Sequence, residues 1–237
     1  MGQYDEAIEA THEMLRVARL RGDSFREGQA QYNLYEIYFQ RGELDNAESN
    51  LAEARQAYAS IGARKGIAQV ALADGELARV KGDYQQAIRS YREAKMRGEN
   101  CENTVALDAQ INLGLVCVED GRTREARQAF EDILRAQGAE LLVYTRTVIR
   151  LGLVNCLIAE GDWPMARKEL SEIDTVLLKS RIIDRDYATM ATLAARRADE
   201  VGQHGLARRA WEIAEDQWSL LGNAERHGEA QSALAGP

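Results

Sequence analysis

Gly82-Asp83-Tyr84-Gln85-Gln86-Ala87 is one of six evenly spaced passages in which alanine follows a glycine after five residues. The others are GQYDEA (Gly2–Ala7), GELDNA (Gly42–Ala47), GRTREA (Gly121–Ala126), GDWPMA (Gly161–Ala166) and GQHGLA (Gly202–Ala207). The glycines stand 40, 40, 39, 40 and 41 residues apart, a regularity that marks an internal repeat. From the second copy on, a large apolar residue follows nine after the glycine: Leu51, Tyr91, Phe130, Leu170 and Trp211. Three further on come Ala54, Ala94, Ile133, Ile173 and Ala214, while the first copy has Thr11 and Met14 at these places. Offsets five, nine and twelve share one face of a helix, so each passage predicts the start of an amphipathic helix.

A second helix is predicted upstream of each glycine. Gln29–Gln40 (QAQYNLYEIYFQ) and Asp108–Glu119 (DAQINLGLVCVE) carry apolar residues at helical spacing and meet no breaker before the closing glycine. Glycine supplies the left-handed C-cap, and the acids around the turn (Glu43, Asp83, Asp162) sit where N-caps and first-turn acids belong. Pro164 falls in a first turn, where proline is tolerated. The unit is helix, tight turn, helix, then a slightly longer connection to the next unit.

Composition agrees with a helical chain. The 237 residues are 45% hydrophobic, 29% charged and 6% aromatic, with two prolines and 19 glycines. That mixture excludes disorder, and no apolar run approaches the ~20 residues that span a bilayer, so no membrane is expected as partner. Met1–Glu6 lacks the basic lead and apolar core of a signal peptide, and position 6 is not the Ser or Thr of a myristoylation signal. Three cysteines (Cys101, Cys117, Cys156) make no disulfide framework, which predicts a reducing, cytoplasmic setting. The net charge of −8 argues against nucleic acid as partner. Arginine outnumbers lysine 25 to 5, the mark of a GC-rich genome, but acids interrupt every basic cluster, including Arg196-Arg197 and Arg208-Arg209.

Groups that could carry chemistry do not converge. His12, His204 and His227 are scattered, the cysteines lack metal-ligand spacing, and neither GxxxxGK[ST] nor GxGxxG occurs. Cys117 and Cys156 lie one repeat apart, four or five residues before a glycine, and read as core. Tyr91, Phe130, Trp211 and Trp218 hold core offsets rather than a cofactor box. The expectation is no enzyme, no cofactor and no metal.

The Gly-(Asp)-(Tyr)-x-x-Ala turn, the small residue seven before the glycine (Gly75, Gly114, Ala195) and the bulky residue nine after it resemble the tetratricopeptide repeat. The resemblance covers nearly the whole chain in six copies. It departs from the family in a period longer than the usual ~34 residues and in the missing closing proline. Such 40-residue variants are similar to those of bacterial signal-transduction ATPases of the maltose-regulator (STAND) type, quorum-peptide receptors, multidomain Ser/Thr kinases and spindle-orientation adaptors. The resemblance implies an all-α solenoid of antiparallel helix pairs, a superhelix of about 11–12 helices forming one domain over 1–237. Its units are a half repeat 1–22, then 23–62, 63–101, 102–140, 141–181 and 182–222, and a partial or capping helix 223–237. Gly222-x5-Gly228-x-Ala230 copies Gly22-x5-Gly28-x-Ala30, the lead-in to a first helix, whereas Gly2 opens a second helix. This frame is expected either of a region of a longer protein or of a small protein whose end helices act as caps.

In tetratricopeptide grooves, ligand-facing residues lie ten, nine, six and three before each glycine. That implies Tyr32, Asn33, Glu36 and Phe39, then Leu72, Ala73, Glu76 and Arg79, then Ile111, Asn112, Leu115 and Val118. Leu151, Gly152, Asn155 and Ile158 follow, and Thr192, Leu193, Arg196 and Asp199 complete the set. Repeats that capture a carboxylate use Lys, Arg and Asn there. Glu36 and Glu76 would repel such a ligand and favour a basic or N-terminal segment. The amides of Asn33, Asn112 and Asn155 can hold an extended backbone through donor and acceptor, flanked by apolar anchors.

These residues lead to a non-catalytic scaffold that binds a partner peptide or helix in its concave groove. The alternative is the sensory or regulatory part of a larger bacterial signalling protein, a Ser/Thr kinase or ATPase regulator whose catalysis lies upstream. A third reading is self-association, a homodimer through an exposed end helix at Gly2–Arg21.

Overall fold

Each glycine turn has the same wiring. In the computed structural model, which describes residues 2–101, 103–138, 140–180 and 183–236, Gly82 takes φ 78°. Its amide donates to the Arg79 carbonyl (3.1 Å), and the Asp83 amide reaches back to Ala78 (2.9 Å). This Schellman pair closes a helix and satisfies two of its last carbonyls. It recurs at Gly22, Gly42, Gly62, Gly121, Gly161, Gly202 and Gly222, all with positive φ. Turns within and between helix pairs are therefore alike wherever glycine closes both. The slightly longer connection expected between units shortens to three residues at Ile61–Ala63, because Gly62 supplies the left-handed residue there too.

Among the described residues there are twelve helices and no strand: α1 (Gly2–Arg21), α2 (Ser24–Arg41), α3 (Leu44–Ser60), α4 (Arg64–Val80), α5 (Tyr84–Gly98), α6 (Asn103–Glu119), α7 (Thr123–Gln137), α8 (Val143–Glu160), α9 (Trp163–Ser180), α10 (Arg185–Glu200), α11 (His204–Leu220) and α12 (Ala224–Ala235). Of the residues expected at unit boundaries, 102, 181 and 182 lie outside the described set, as do Met1, residue 139 and Pro237. Asp83 and Asp162 act as predicted, accepting from the amides of Gln86 (3.0 Å) and Met165 (3.2 Å). Glu43 makes no cap bond. Its longer side chain instead accepts from Asn46 Nδ2 (2.8 Å) and pairs with Arg41 Nε (2.7 Å).

Helices pack as antiparallel pairs, α2 on α3, α4 on α5, α8 on α9 and α10 on α11. Within the first half of the chain neighbouring pairs stack through α2–α4 contacts, and within the second half through α8–α10 and α9–α11 contacts, the arrangement of an all-α solenoid. The chain divides into two compact units, Met1–Leu113 and Gly114–Pro237, with the boundary inside α6. No helix among the described residues is long and apolar enough to cross a membrane.

The predicted core offsets are filled as expected. Ala47, Leu51 and Ala54 are buried in unit 1, as are Ala87, Tyr91 and Ala94. In unit 2 the same offsets bury Ala126, Phe130 and Ile133, then Ala166, Leu170 and Ile173, then Ala207, Trp211 and Ala214. Each large side chain so placed contributes roughly 1.5–3 kcal/mol. On α1, Ala7, Thr11 and Met14 are only partly buried.

Size is traded between helices of a pair. A Cβ on Gly75 would lie 2.4 Å from the Tyr91 ring, and one on Gly114 2.4 Å from Phe130. Tyr35 holds the register of Gly75 and Gly114, and its pair partner at the Tyr91 offset is the smaller Leu51 in the same cluster. Small against large fills the interior to native density without a void. Cys117 and Cys156 are buried as read. Burial pushes the Cys156 thiol up to about 12, so it is protonated and inert at neutral pH.

Candidate partner-binding wall

The first helices of unit 1 bring aromatic rings and carboxylates together. On α2, Tyr35 is buried between Tyr32 (ring centroids 5.5 Å apart) and Phe39 (5.6 Å). Its hydroxyl donates to Glu76 Oε2 on α4 at 2.9 Å. Tyr32 and Phe39 are half-buried and pack on the core formed by Tyr35, Leu51, Tyr58 and Val70. The Tyr32 phenol is driven well above its ordinary value, first by burial, then by the negative charges of Glu76 and Glu36, and further by Tyr58 and Asp108. Tyr32 thus stands in the shared field of three carboxylates from α2, α4 and α6. Glu36 and Asp108 keep exposed edges, yet apolar surroundings strip water from their carboxyls and push both above the usual carboxylate range.

Most predicted wall residues of unit 1 are accessible in part. Glu36 is exposed, and Asn33, Leu72, Glu76, Arg79 and Asn112 are half-buried. Ile111 and Ala73 are corrections: they are buried at 6% and 0% exposure and belong to the core, because the ten- and nine-residue offsets straddle the edge of the buried face. Asp108 was not among the predicted residues. It lies one helical turn before Ile111 and Asn112, so extending that face by three or four residues would have found it.

Unit 2 is built differently. Asn155 was expected to offer its amide to a ligand, and the structure corrects this: it is 0% exposed. Its Nδ2 donates to the carbonyls of Leu151 (3.1 Å) and Met190 (2.9 Å), and its Oδ1 accepts from Arg197 (3.2 Å). Two of these three hydrogen bonds, to Met190 and from Arg197, join α8 to α10, so the amide is a structural joint. Leu115, Val118, Leu151, Gly152, Ile158 and Thr192 are likewise buried. Asp199 accepts from Trp211 Nε1 at 2.8 Å. Arg196 is exposed, but its Nε donates to Glu229 Oε1 of α12 at 2.8 Å.

Arg197, next to the predicted Arg196, closes this wall. Its guanidinium donates to the Val118 carbonyl (2.6 Å) as well as to Asn155, so one side chain of α10 ties the first helices of three successive pairs. Burial lowers its pKa, and it remains a cation facing the carbonyl end of α6, where the helix dipole is negative. Its place three residues after the buried Ala194 and next to the buried Ala198 was the available signal. Among the described residues no group of three or more His, Cys, Asp or Glu is placed to hold a metal.

This architecture is that of an all-α helical-repeat solenoid. No protein-family model matches the chain. It is 25% identical over 232 residues to the regulatory protein AfsR of Streptomyces griseus, covering 97% of this chain and 22% of that protein. The Rap conjugation gene regulator of plasmid pLS20, solved in complex with the Phr* peptide, superposes with a TM-score of 0.70 at 15% identity, over 90% of this chain and 59% of that one. BtubC (BKLC) of P. vanneervenii gives 0.63 at 14% identity, covering 99% of this chain and 93% of that one. A Rap protein complexed with Competence and Sporulation Factor gives 0.59 at 18% identity, over 94% of this chain and 60% of that one. At these identities the structures share the fold.

Proposed function

We propose that the chain is a non-catalytic, regulatory protein-binding module, and that the first-helix wall of unit 1 takes a basic peptide or helix of a partner. The observation that carries this reading is the Tyr32 ring set among Glu36, Glu76 and Asp108, with Glu36 and Asp108 partly desolvated. A carboxylate held above its ordinary pKa is short of favourable charge, and a ligand cation restores it. An aromatic face beside the carboxylates adds a cation–π surface that suits guanidinium.

Unit 2 supplies an internal comparison. Glu229 aligns with Gln29 in the repeated lead-in, thirteen residues before Gly42, the register that Asp108 holds before Gly121. Arg196 holds the six-residue offset that Glu76 holds on α4. Burial would raise the Glu229 carboxyl, but hydrogen bonds from Arg196 and Arg226 outweigh it and hold Glu229 low. Where unit 2 sets arginine against a carboxylate, unit 1 has two carboxylates, and an arginine from outside would fit the same register. The Phr* peptide bound by the Rap regulator of pLS20 supports a peptide as ligand for this fold.

Selection from a random peptide library on the immobilised chain tests the reading. Enrichment of Arg- or Lys-bearing sequences, lost when selection is repeated on Glu36→Gln/Asp108→Asn, is expected. Enrichment of acidic or uncharged sequences on the native chain would refute it.

A second reading places this module inside a larger regulator. It rests on the likeness to AfsR along 97% of this chain, in a protein of which the chain spans 22%. The wall of unit 1 would then receive a basic segment of the same polypeptide. Binding of the selected peptide in trans, abolished when the full-length protein is used, would favour that version.

A further inference from the structure

We infer that the Tyr58 hydroxyl is a hydrogen-bonding point on the floor of the unit 1 wall, donating to a main-chain carbonyl of the bound segment and so selecting an extended basic peptide over a helix. This inference rests on the reading that unit 1 takes a basic peptide or helix, and decides between the two.

Tyr58 belongs to α3, a second helix, yet its ring reaches the face made by the first helices. Two glycines let it through. A Cβ on Gly66 of α4 would lie 2.5 Å from Cγ, at the root of the ring. One on Gly28 of α2 would lie 2.7 Å from Cε1 and 3.1 Å from Cζ, near the tip. Carbon atoms rest roughly 3.5–4.0 Å apart, so only glycine fits at either place. Gly28 stands one helical turn before Tyr32 and two before Glu36, on one face of α2. The Tyr58 phenol acts on that of Tyr32, and Glu36 acts on both. The ring therefore ends beside the wall residues.

Its hydroxyl is left open. It makes no hydrogen bond to any described residue and is not sealed from solvent, although only 4% of the residue is exposed. Unit 2 closes the same register. Trp218 stands sixteen residues after Gly202, as Tyr58 does after Gly42. Trp218 Nε1 donates at 2.9 Å to Oγ1 of Thr192, which holds the ten-residue offset of Tyr32. Burial first, then the charge of Glu36, pushes the Tyr58 phenol up, so it keeps its proton and can donate. Carbonyls inside a helix are taken by the helix's own amides, whereas an extended segment presents them unpaired. With Glu36 and Asp108 holding a ligand cation, a donor on this floor adds a contact that only the extended form completes.

Fluorescence anisotropy of a labelled, end-capped octapeptide of alternating glycine and arginine tests the inference on the full chain. Tyr58→Phe keeps the ring and removes the hydroxyl. It is expected to weaken this peptide about 3- to 10-fold, the worth of one hydrogen bond. A helical counterpart with α-aminoisobutyrate in place of glycine is expected to bind the native chain more weakly and to be unaffected by Tyr58→Phe. The heat-denaturation midpoint should not fall in Tyr58→Phe, because no bond of the fold is lost. Thr192→Val, which strands Trp218 Nε1, should lower it. Equal affinity of the glycine peptide for the native chain and Tyr58→Phe, with loss in Glu36→Gln/Asp108→Asn, would overturn this inference and leave the reading of unit 1 standing. No binding to the native chain would overturn both. A helical peptide weakened as much as the extended one, or a lower midpoint in Tyr58→Phe, would also overturn the inference.

Discussion

Gly152→Ala puts the packing account at risk, because helix propensity and packing predict opposite signs. Gly152 lies inside α8, where alanine alone would stabilise the helix by about 1 kcal/mol. The added Cβ would lie 2.4 Å from Cε2 and 2.5 Å from Cζ of Phe130, whereas carbon atoms rest about 3.5–4.0 Å apart. The ring must move by roughly 1 Å. It is 0% exposed, and on its other side the Gly114 backbone is as close, with a Cβ there also falling at 2.4 Å. Overpacking of this kind costs about 1–3 kcal/mol, leaving unit 2 less stable by up to about 2 kcal/mol after the propensity gain. Urea unfolding followed by tryptophan fluorescence reads unit 2, since Trp163, Trp211 and Trp218 all lie in it. In a Phe130→Leu background the penalty should shrink by at least ~1 kcal/mol, because the smaller side chain leaves room for the Cβ. Gly205→Ala, whose Cβ would meet nothing within 4 Å, should stay within about 0.5 kcal/mol of the native chain. A Gly152→Ala protein more stable than the native one would refute the wedge of Phe130 between α6 and α8.

Arg197→Met should destabilise unit 2 by about 3 kcal/mol in the same assay, since it strands the buried Asn155 Oδ1 and loosens three helices at once. Asp83→Ala should cost about 1 kcal/mol through the lost cap to Gln86, while Glu43→Ala, which removes no cap bond, should cost less. Glu36 and Asp108 bind protons more tightly in the folded chain than in the unfolded one. Stability from this pair is therefore present at low pH and is lost as pH rises through their elevated folded values. Glu36→Gln/Asp108→Asn should melt higher than the native chain at pH 7 and lose that advantage near pH 3. A variant that melts lower at pH 7 would show these carboxylates stabilising the free protein. For the same reason, affinity for a basic peptide should begin to fall on acidification at a pH above the ordinary carboxylate range, as followed by fluorescence anisotropy.

The repeat was legible because its signals are local. A left-handed glycine reads the same wherever it occurs, and the alanine five residues on is buried after Gly42, Gly82, Gly121, Gly161 and Gly202. The groove was legible only in part, because a wall position does not reveal what the next helix lays over it. Glu36 and Asn155 share one offset, yet Glu36 is exposed while Asn155 is sealed under α10 by Met190 and Arg197. Asp108 escaped because the assumed face stopped one turn short. Arg197 escaped because it resembled its exposed neighbour Arg196.

Isothermal titration of one library-selected, arginine-bearing peptide against the native chain and against Glu36→Gln/Glu76→Gln/Asp108→Asn tests the central claim most directly. The account predicts a loss of affinity of tenfold or more, with heat-denaturation midpoints showing both proteins folded. It also predicts no change when Arg196→Gln is made in unit 2 instead. Equal affinity for the native and triple-variant proteins would contradict it.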